Sequence, residues 1–280
     1  MKLDLTGKLV IVTGASSGLG RDVARLLASE EQCRVIVVAR RADRLEALAS
    51  EINGAGPTVA YSLAADLTEP DAAERVIADS QRIAQDAGVP LYGLVNNAGV
   101  THYGPVLGMA SGEAERILRL NALAPIELAR LFVSAVTSTS QHGRKASRGP
   151  ARAAILNITS LGAHVPVPYQ AVYAASKHGL QAFSESLSAE LRDAGISVTA
   201  VGPGGIDTEM IEGSGLSSKF ASGSNALASS ARIARKAIRA WKRGSVSCVP
   251  GLGNKLGMLA GRVLPRRTVA GATERIFRPQ

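Results

Sequence analysis

Apolar residues along the chain fall into two alternating patterns. Short, nearly continuous runs rich in Val and Ile predict strands buried on both faces: KLVIVT (8–13), RVIVVA (34–39), TVAYSLAA (58–65), LYGLVN (91–96), AAILNIT (153–159) and ISVTAV (196–201). Between them GRDVARLLASE, DRLEALASEIN, DAAERVIADSQRIAQ and HGLQAFSESLSAELRDAG carry apolar residues at helical spacing. The alternation predicts an α/β fold, a doubly wound parallel β-sheet of about seven strands flanked by helices on both faces. SVSCVP (245–250), after a basic helix, supplies the candidate last strand. Neither a sequence repeat nor a linker divides the chain, so one domain is expected over residues 1–252, followed by an extension at 253–280.

Two segments break the rhythm. TSTSQHGRKASRGPAR (137–152) is polar and basic and predicts an exposed loop between a helix and the strand at 153. EGSGLSSKFASGSN (212–225) is rich in Ser and Gly and predicts a mobile loop.

A length of 280 residues with 46% hydrophobic content is enough for a sizeable core. The opening MKLDLTGKLVIVTG has no charged start, apolar stretch and cleavage site in the order of a secretory signal, and no apolar run approaches the roughly 18–20 residues that span a bilayer. Cys33 and Cys248 are two and far apart, which excludes a disulfide framework and makes the cytoplasm the expected compartment.

The net charge of +9 is unevenly placed. Residues 231–280 hold 12 Lys/Arg and one acid, Glu274, a net of +11; the 20 basic and 22 acidic residues before them give −2. A membrane or nucleic-acid reading would therefore rest on the tail. Leucines, Met258 and Val263 there alternate with Lys255, Arg262, Arg266 and Arg267, interrupted by Pro265. That pattern suits peripheral contact with an anionic membrane, a subunit interface, or a solvated helix along the domain edge. Little aromatic character accompanies it, so no nucleic-acid partner is expected.

Chemistry begins at TGASSGLG (13–20), which follows the first strand and opens the first helix. Gly14, Gly18 and Gly20, with Ser16, Ser17 and Leu19 between them, suit a Rossmann-type turn whose backbone approaches a diphosphate at a helix N-terminus. An NAD site usually carries an acid at the end of the second strand to accept from the ribose 2′-hydroxyl. Here Arg40 and Arg41 stand there, and guanidinium groups suit the 2′-phosphate of NADP(H). Asp66, with Leu67 beside it, is placed either to accept from the adenine amino group or to cap the helix at 70–86. His102, His164 and His178 have no metal-like spacing, and no metal site is assigned.

YAASK (173–177) puts a phenol and an ammonium one helical turn apart, an ordinary pair or a tuned proton donor. Tyr169, by contrast, has Tyr173 four residues on and no lysine. TGASSGLG, NNAG (96–99), Ser160, YAASK and PGGIDT (203–208) occur in the order and at the spacings of the short-chain dehydrogenase/reductases, a family the chain resembles over about residues 5–250. The resemblance implies a catalytic set of Asn121, Ser160, Tyr173 and Lys177. Tyr173 would be general acid in reduction and base in oxidation, its pKa lowered by the ammonium and by the oxidised nicotinamide. Lys177 would hold the nicotinamide ribose, and Ser160 the substrate oxygen. Asn121 would distort its helix and hold a water relaying protons to the lysine. Asn97, Ala98 and Gly99 would approach the adenosine ribose; Pro203, Gly204, Ile206 and Thr208 would meet the nicotinamide. His164 would line the substrate pocket.

The resemblance further implies a small-molecule carbonyl or alcohol substrate, a homodimer or homotetramer paired through helices at 110–136 and 170–193, and a substrate lid at about 209–227. After the last strand the chain continues as VPGLGNKLGMLAGRVLPRRTVAGATERIFRPQ, where many ketoacyl reductases of the family end compactly. It is more similar there to NADP-dependent dehydrogenases with extended C-termini acting on varied carbonyls. Reduction of a 3-ketoacyl thioester is the alternative within the enzyme class. A nucleotide-sensing protein whose basic tail binds a membrane or partner is the alternative outside it.

Overall fold

The computed structural model describes residues 3–138, 151–210, 216 and 227–279. Six predicted strands form as β1 (Leu9–Thr13), β2 (Arg34–Ala39), β3 (Ala60–Ala64), β4 (Leu91–Asn96), β5 (Ala153–Ile158) and β6 (Ile196–Val201). A short pair, β7 (Ile206–Asp207) and β8 (Ala228–Ser229), lies apart, and β9 (Ser247–Cys248) completes the main sheet. The order β3-β2-β1-β4-β5-β6-β9 is parallel throughout, reversing direction between β1 and β4. Ligands of such sheets bind outside the carboxyl ends of the strands at that reversal.

Strand periodicity divides the core. Val10, Val12, Val35, Val37 and Leu156 face one layer, formed by α1 (Gly18–Ser29), α2 (Ala42–Ala55) and α7 (Ser230–Lys242). Leu9, Ile11, Ile36, Leu94 and Ile155 face the other, formed by α3 (Ala72–Asp86), α5 (Ala124–Ser138) and α6 (Ala171–Glu190). Each such side chain contributes about 1.5–3 kcal/mol by leaving water. A buried polar ladder crosses the second layer. Asn96 Nδ2 donates to the Pro125 carbonyl (3.2 Å) and to Asn157 Oδ1 (2.9 Å), and Asn157 Nδ2 donates to Ser184 Oγ (2.8 Å). It ties α5, β4, β5 and α6 in one register.

The structure departs from the sequence pattern in three places, one of them SVSCVP (245–250), of which only Ser247–Cys248 pairs as a strand. TVAYSLAA yields only five strand residues, because β3 is an edge strand whose first residue, Ala60, donates its N–H to Asn53 Oδ1 (2.7 Å) while its carbonyl accepts from Asn53 Nδ2 (3.2 Å). The helix expected at 110–136 is broken into α4 (Glu113–Leu118), a π-helical turn (Arg119–Leu123) and α5. Pro125 is the cause: it lacks the N–H that would bond the Asn121 carbonyl four residues back. The whole run Glu113–Ser138 is long and apolar enough to cross a bilayer by composition, yet Leu128 and Phe132 are fully buried in the sheet core, as in a core helix.

The basic end of the chain is partly neutralised. Arg235 and Lys242 of α7 pair with Glu30 (2.8 Å) and Glu31 (2.5 Å) beyond α1. Two further helices, α8 (Leu252–Val263) and α9 (Arg266–Phe277), fold back on the domain. Val269 packs with Val165, Val167 and Ala174, and Thr273 Oγ1 donates to the Pro166 carbonyl at 2.8 Å.

Trp241 of α7, fully buried, covers β4 where the strand has no side chain: a Cβ on Gly93 would lie 2.8 Å from Trp241 Cη2 and 3.0 Å from Val10 Cγ2. Gly93→Ala is therefore expected to cost about 1–3 kcal/mol in urea unfolding. Part of that loss should return in the double variant with Trp241→Phe, which removes the clashing ring; purely additive losses would contradict the contact.

Candidate active site

Four glycine-motif contacts weld the first crossover to β4. Thr13 Oγ1 accepts from the Asn97 (3.0 Å) and Ala98 (3.1 Å) amides and donates to the Val95 carbonyl (3.2 Å). Asn97 Nδ2 donates back to the Thr13 carbonyl at 3.0 Å. Gly14 has φ +66°, and a Cβ there would stand 2.8 Å from Ala98 Cα. A Cβ on Gly20 would come within 2.3 Å of the Gly14 carbonyl and 2.4 Å of Asn97 Nδ2, so the helix can seat only on glycine. Asn97 thus braces the turn that presents Ser16, Ser17, Gly18 and Leu19 at the start of α1. No acid occupies the first turn of α1, which leaves its N-terminus open to an anion.

The arginine pair divides its work. Arg40, 62% exposed, lies 3.8 Å from Asp66. Arg41 turns inward, its Nη2 donating to Ser16 Oγ (2.9 Å) and Ser17 Oγ (3.0 Å). Arg44, three residues on along α2, joins it: Glu209 accepts from Arg41 Nη1 at 3.1 Å and from Arg44 Nη1 at 2.6 Å. Arg44 and Glu209 escaped the sequence reading. Arg44 had a signal, since residues three apart share a helix face; Glu209 had none, being 165 residues away. Asp66 Oδ1 accepts from the Thr68 amide (2.9 Å) and hydroxyl (2.7 Å), the turn-forming role, with Leu67 buried behind it. Burial pushes its carboxyl up, but the Thr68 bonds and Arg40 outweigh that and hold it below the usual range. Hydroxyls, three guanidinium groups, an open helix N-terminus and no acid ending β2 form a donor set that fits a 2′-phosphorylated dinucleotide.

The residues expected to handle protons converge beyond β4 and β5. Tyr173 and Lys177 lie one turn apart on α6, and Ser160 follows β5. Asn121, wholly buried in the π-helical turn, sends Nδ2 to the Val100 carbonyl (2.8 Å) and Ser176 Oγ (3.1 Å) and accepts from the Val100 amide (2.9 Å). The expected distortion is present, but it arises from Pro125, and both Nδ2 hydrogens are committed to protein. Ser176, which the sequence did not single out, locks this arrangement. Gly99 closes on the same centre, a Cβ there lying 3.1 Å from Asn121 Oδ1 and 3.5 Å from Lys177 Nζ.

Lys177 is only 4% exposed, and its ammonium donates to the Ile158 carbonyl at 3.0 Å, 6.0 Å from the Tyr173 ring centroid. Burial lowers its pKa to about 8. Tyr173 moves opposite to the sequence expectation in the protein alone. Burial raises the phenol above its ordinary range, and only the hydrogen bond with Ser160 draws it down. Lys177 stands over the ring, so its charge acts on the hydroxyl at a distance.

Remaining predicted residues are distributed around this centre. The Pro203 carbonyl accepts from the Leu161 amide at 2.7 Å, and Gly204 abuts the Asn254 side chain of α8, where a Cβ would meet it at 2.7 Å. Ile206 pairs with Ala228, and the Thr208 methyl lies 3.0 Å from where Gly18 would carry a Cβ. His164 is half-buried, with burial and Arg262 lowering its pKa against the opposing pull of Glu185. Among the described residues no cluster of three His, Cys, Asp or Glu could hold a metal. Most of the lid expected at 209–227 (all but 209, 210, 216 and 227), and residues 139–150 of the loop expected at 137–152, lie outside the described residues.

A family profile described as short chain dehydrogenase matches residues 8–217. A short chain dehydrogenase of Pseudocercospora fijiensis is 34% identical over 212 residues, 74% of this chain and 62% of that protein. A very-long-chain 3-oxoacyl-CoA reductase of Scheffersomyces stipitis is 34% identical over 199 residues, 70% of this chain and 54% of the relative. The chain therefore spans less than two thirds of either curated relative. A solved short-chain dehydrogenase from Sphingobium yanoikuyae in complex with NADPH matches at 28% identity with TM-score 0.75, covering 91% of this chain and 93% of that one.

Enclosing Lys177 has a measurable signature. In the folded chain its ammonium deprotonates near pH 8, against 10.5 when unfolded, so its burial is unfavourable below pH 8 and this penalty fades as pH rises to 10.5. Lys177→Met should exceed wild type by up to about 3 kcal/mol at pH 7, with the gain shrinking between pH 8 and 10.5. Urea unfolding across that interval checks it; a difference independent of pH would contradict a buried ammonium.

Proposed function

The chain belongs to the short-chain dehydrogenase family, and on that premise we propose that it moves hydride between NADP(H) and a ketone or secondary alcohol. The observation that carries this reading is the meeting of Ser160, Tyr173, Lys177 and Asn121 beside a glycine turn that fits a dinucleotide diphosphate. The bound cofactor supplies or accepts the hydride. Tyr173 gives its phenolic proton to the substrate oxygen in reduction and takes it back in oxidation. Ser160, already hydrogen-bonded to that phenol, holds the same oxygen, and the Lys177 ammonium favours the phenolate left behind. Asn121 keeps the π-helical turn seated against Lys177. Arg40, Arg41 and Arg44 support NADP(H) over NAD(H). The Scheffersomyces stipitis relative's name favours a 3-oxoacyl thioester as the ketone.

A second reading concerns location. Leu252, Leu256, Leu259 and Val263 form one stripe along α8, exposed at 76%, 60%, 54% and 75%, with Lys255, Arg262, Arg266 and Arg267 nearby. Four apolar side chains facing water amid cations suit a cytoplasmic protein resting peripherally on an anionic membrane. Pairing into a homodimer or homotetramer is supported by Leu118 and Leu123, exposed at 39% and 51% along the α4–α5 run.

Tyr173→Phe should reduce NADPH-dependent ketone turnover by at least about a hundredfold while leaving the NADPH dissociation constant within about twofold. Unchanged turnover would refute the proton-donor role, and NADPH binding without turnover of any ketone, aldehyde or acyl thioester by the wild type would favour a sensor. For the membrane reading, co-sedimentation with phosphatidylserine-rich vesicles should exceed that with phosphatidylcholine and disappear in Leu256→Glu/Leu259→Glu. Loss of dimer mass in that variant without vesicle binding by the wild type would make the stripe a subunit interface.

A further inference from the structure

Glu209 lies far from the arginines in sequence, yet it closes their cluster. It follows Thr208, whose methyl rests against Gly18, so residues 208–209 pass from the edge at β7 across the glycine turn to the start of α2. There its two carboxylate oxygens accept one from Arg44 Nη1 (2.6 Å) and one from Arg41 Nη1 (3.1 Å), while Arg41 reaches Ser16 and Ser17 with its other nitrogens. The Arg44 hydrogen bond, helped by Arg41, holds the carboxyl below its usual range. A carboxylate between two guanidinium groups makes the contacts that a phosphate monoester would make there.

We propose that Glu209 is an internal counter-ion that occupies the 2′-phosphate site of the cofactor-free protein, yields it to NADP(H), and thereby sets the margin of NADP(H) over NAD(H). The inference rests on the NADP(H) reading of Arg40, Arg41 and Arg44. A 2′-phosphate carries up to two negative charges and three acceptor oxygens, more than one carboxylate offers, so it displaces Glu209. NAD(H) brings no such group and leaves Glu209 on the arginines. The pairs are partly exposed, with side-chain exposures of 41%, 43% and 49% for Arg41, Arg44 and Glu209, so the competition is modest.

Calorimetric or fluorescence titration of the full chain tests this without turnover, using NADPH, NADH, 2′,5′-ADP and 5′-ADP. Glu209→Gln should tighten NADPH and 2′,5′-ADP by about three- to tenfold and leave NADH and 5′-ADP within about twofold. Glu209→Ala should behave alike. Equal tightening of 2′,5′-ADP and 5′-ADP, no change, or weaker NADPH binding would each overturn the counter-ion. A wild type binding NADH as tightly as NADPH would instead overturn the cofactor reading. A clear NADPH preference with unshifted variants would leave that reading standing and remove only the counter-ion.

Discussion

A buried lysine, Lys177, with 4% of its surface exposed, governs the carboxyl edge of this sheet. Among the described residues no carboxylate lies within ion-pair distance of it; its hydrogen bond goes to the Ile158 carbonyl at the end of β5. Burying such a charge is unfavourable, so its surroundings must be fixed by interactions made elsewhere. The Asn96–Asn157–Ser184 ladder supplies part of that fixing by holding α6 in register with β4 and β5. Asn121 supplies the rest, joining α6 through Ser176 to the backbone at Val100. The same enclosure lowers the Lys177 pKa to about 8, while burial raises the Tyr173 phenol above its ordinary range.

A second charge problem lies at the carboxyl end of β2. Three arginines gather where β2 and α2 meet, and Asp66 and Glu209 offset them. The two regions are mechanically linked. Thr208 ends the PGGIDT segment, whose Pro203 carbonyl accepts from the Leu161 amide beside Ser160, and Glu209 follows it, yet the two touch Gly18 and the arginines.

Most of the fold was legible because buried parallel strands leave an uninterrupted apolar signature, and five strand runs matched to within about a residue at each end. β3 came out shorter because edge position and a side-chain cap on Ala60 are tertiary facts. The break at Arg119–Leu123 was encoded more locally, in the Asn121-to-Pro125 spacing, but apolar periodicity runs through it without a mark. The meeting of Asn121, Lys177 and Gly99 was legible from motif order; the electrostatics were not. The direction of the Tyr173 shift depends on how deeply the phenol sits and on whether Lys177 faces its oxygen or its ring, neither of which spacing along a helix determines. The Glu209 contacts bridge 165 and 168 residues and left no local trace.

Delivery of a hydride and a proton to one carbonyl is the chemistry proposed for this chain. Its most direct test is single turnover with NADPH deuterated at the transferring position, followed by mass spectrometry of the alcohol formed from a 3-oxoacyl thioester or simple ketone panel. The account predicts one deuterium on the new carbinol carbon for each NADPH oxidised. Stoichiometric NADPH binding with no deuterium in any product would contradict it.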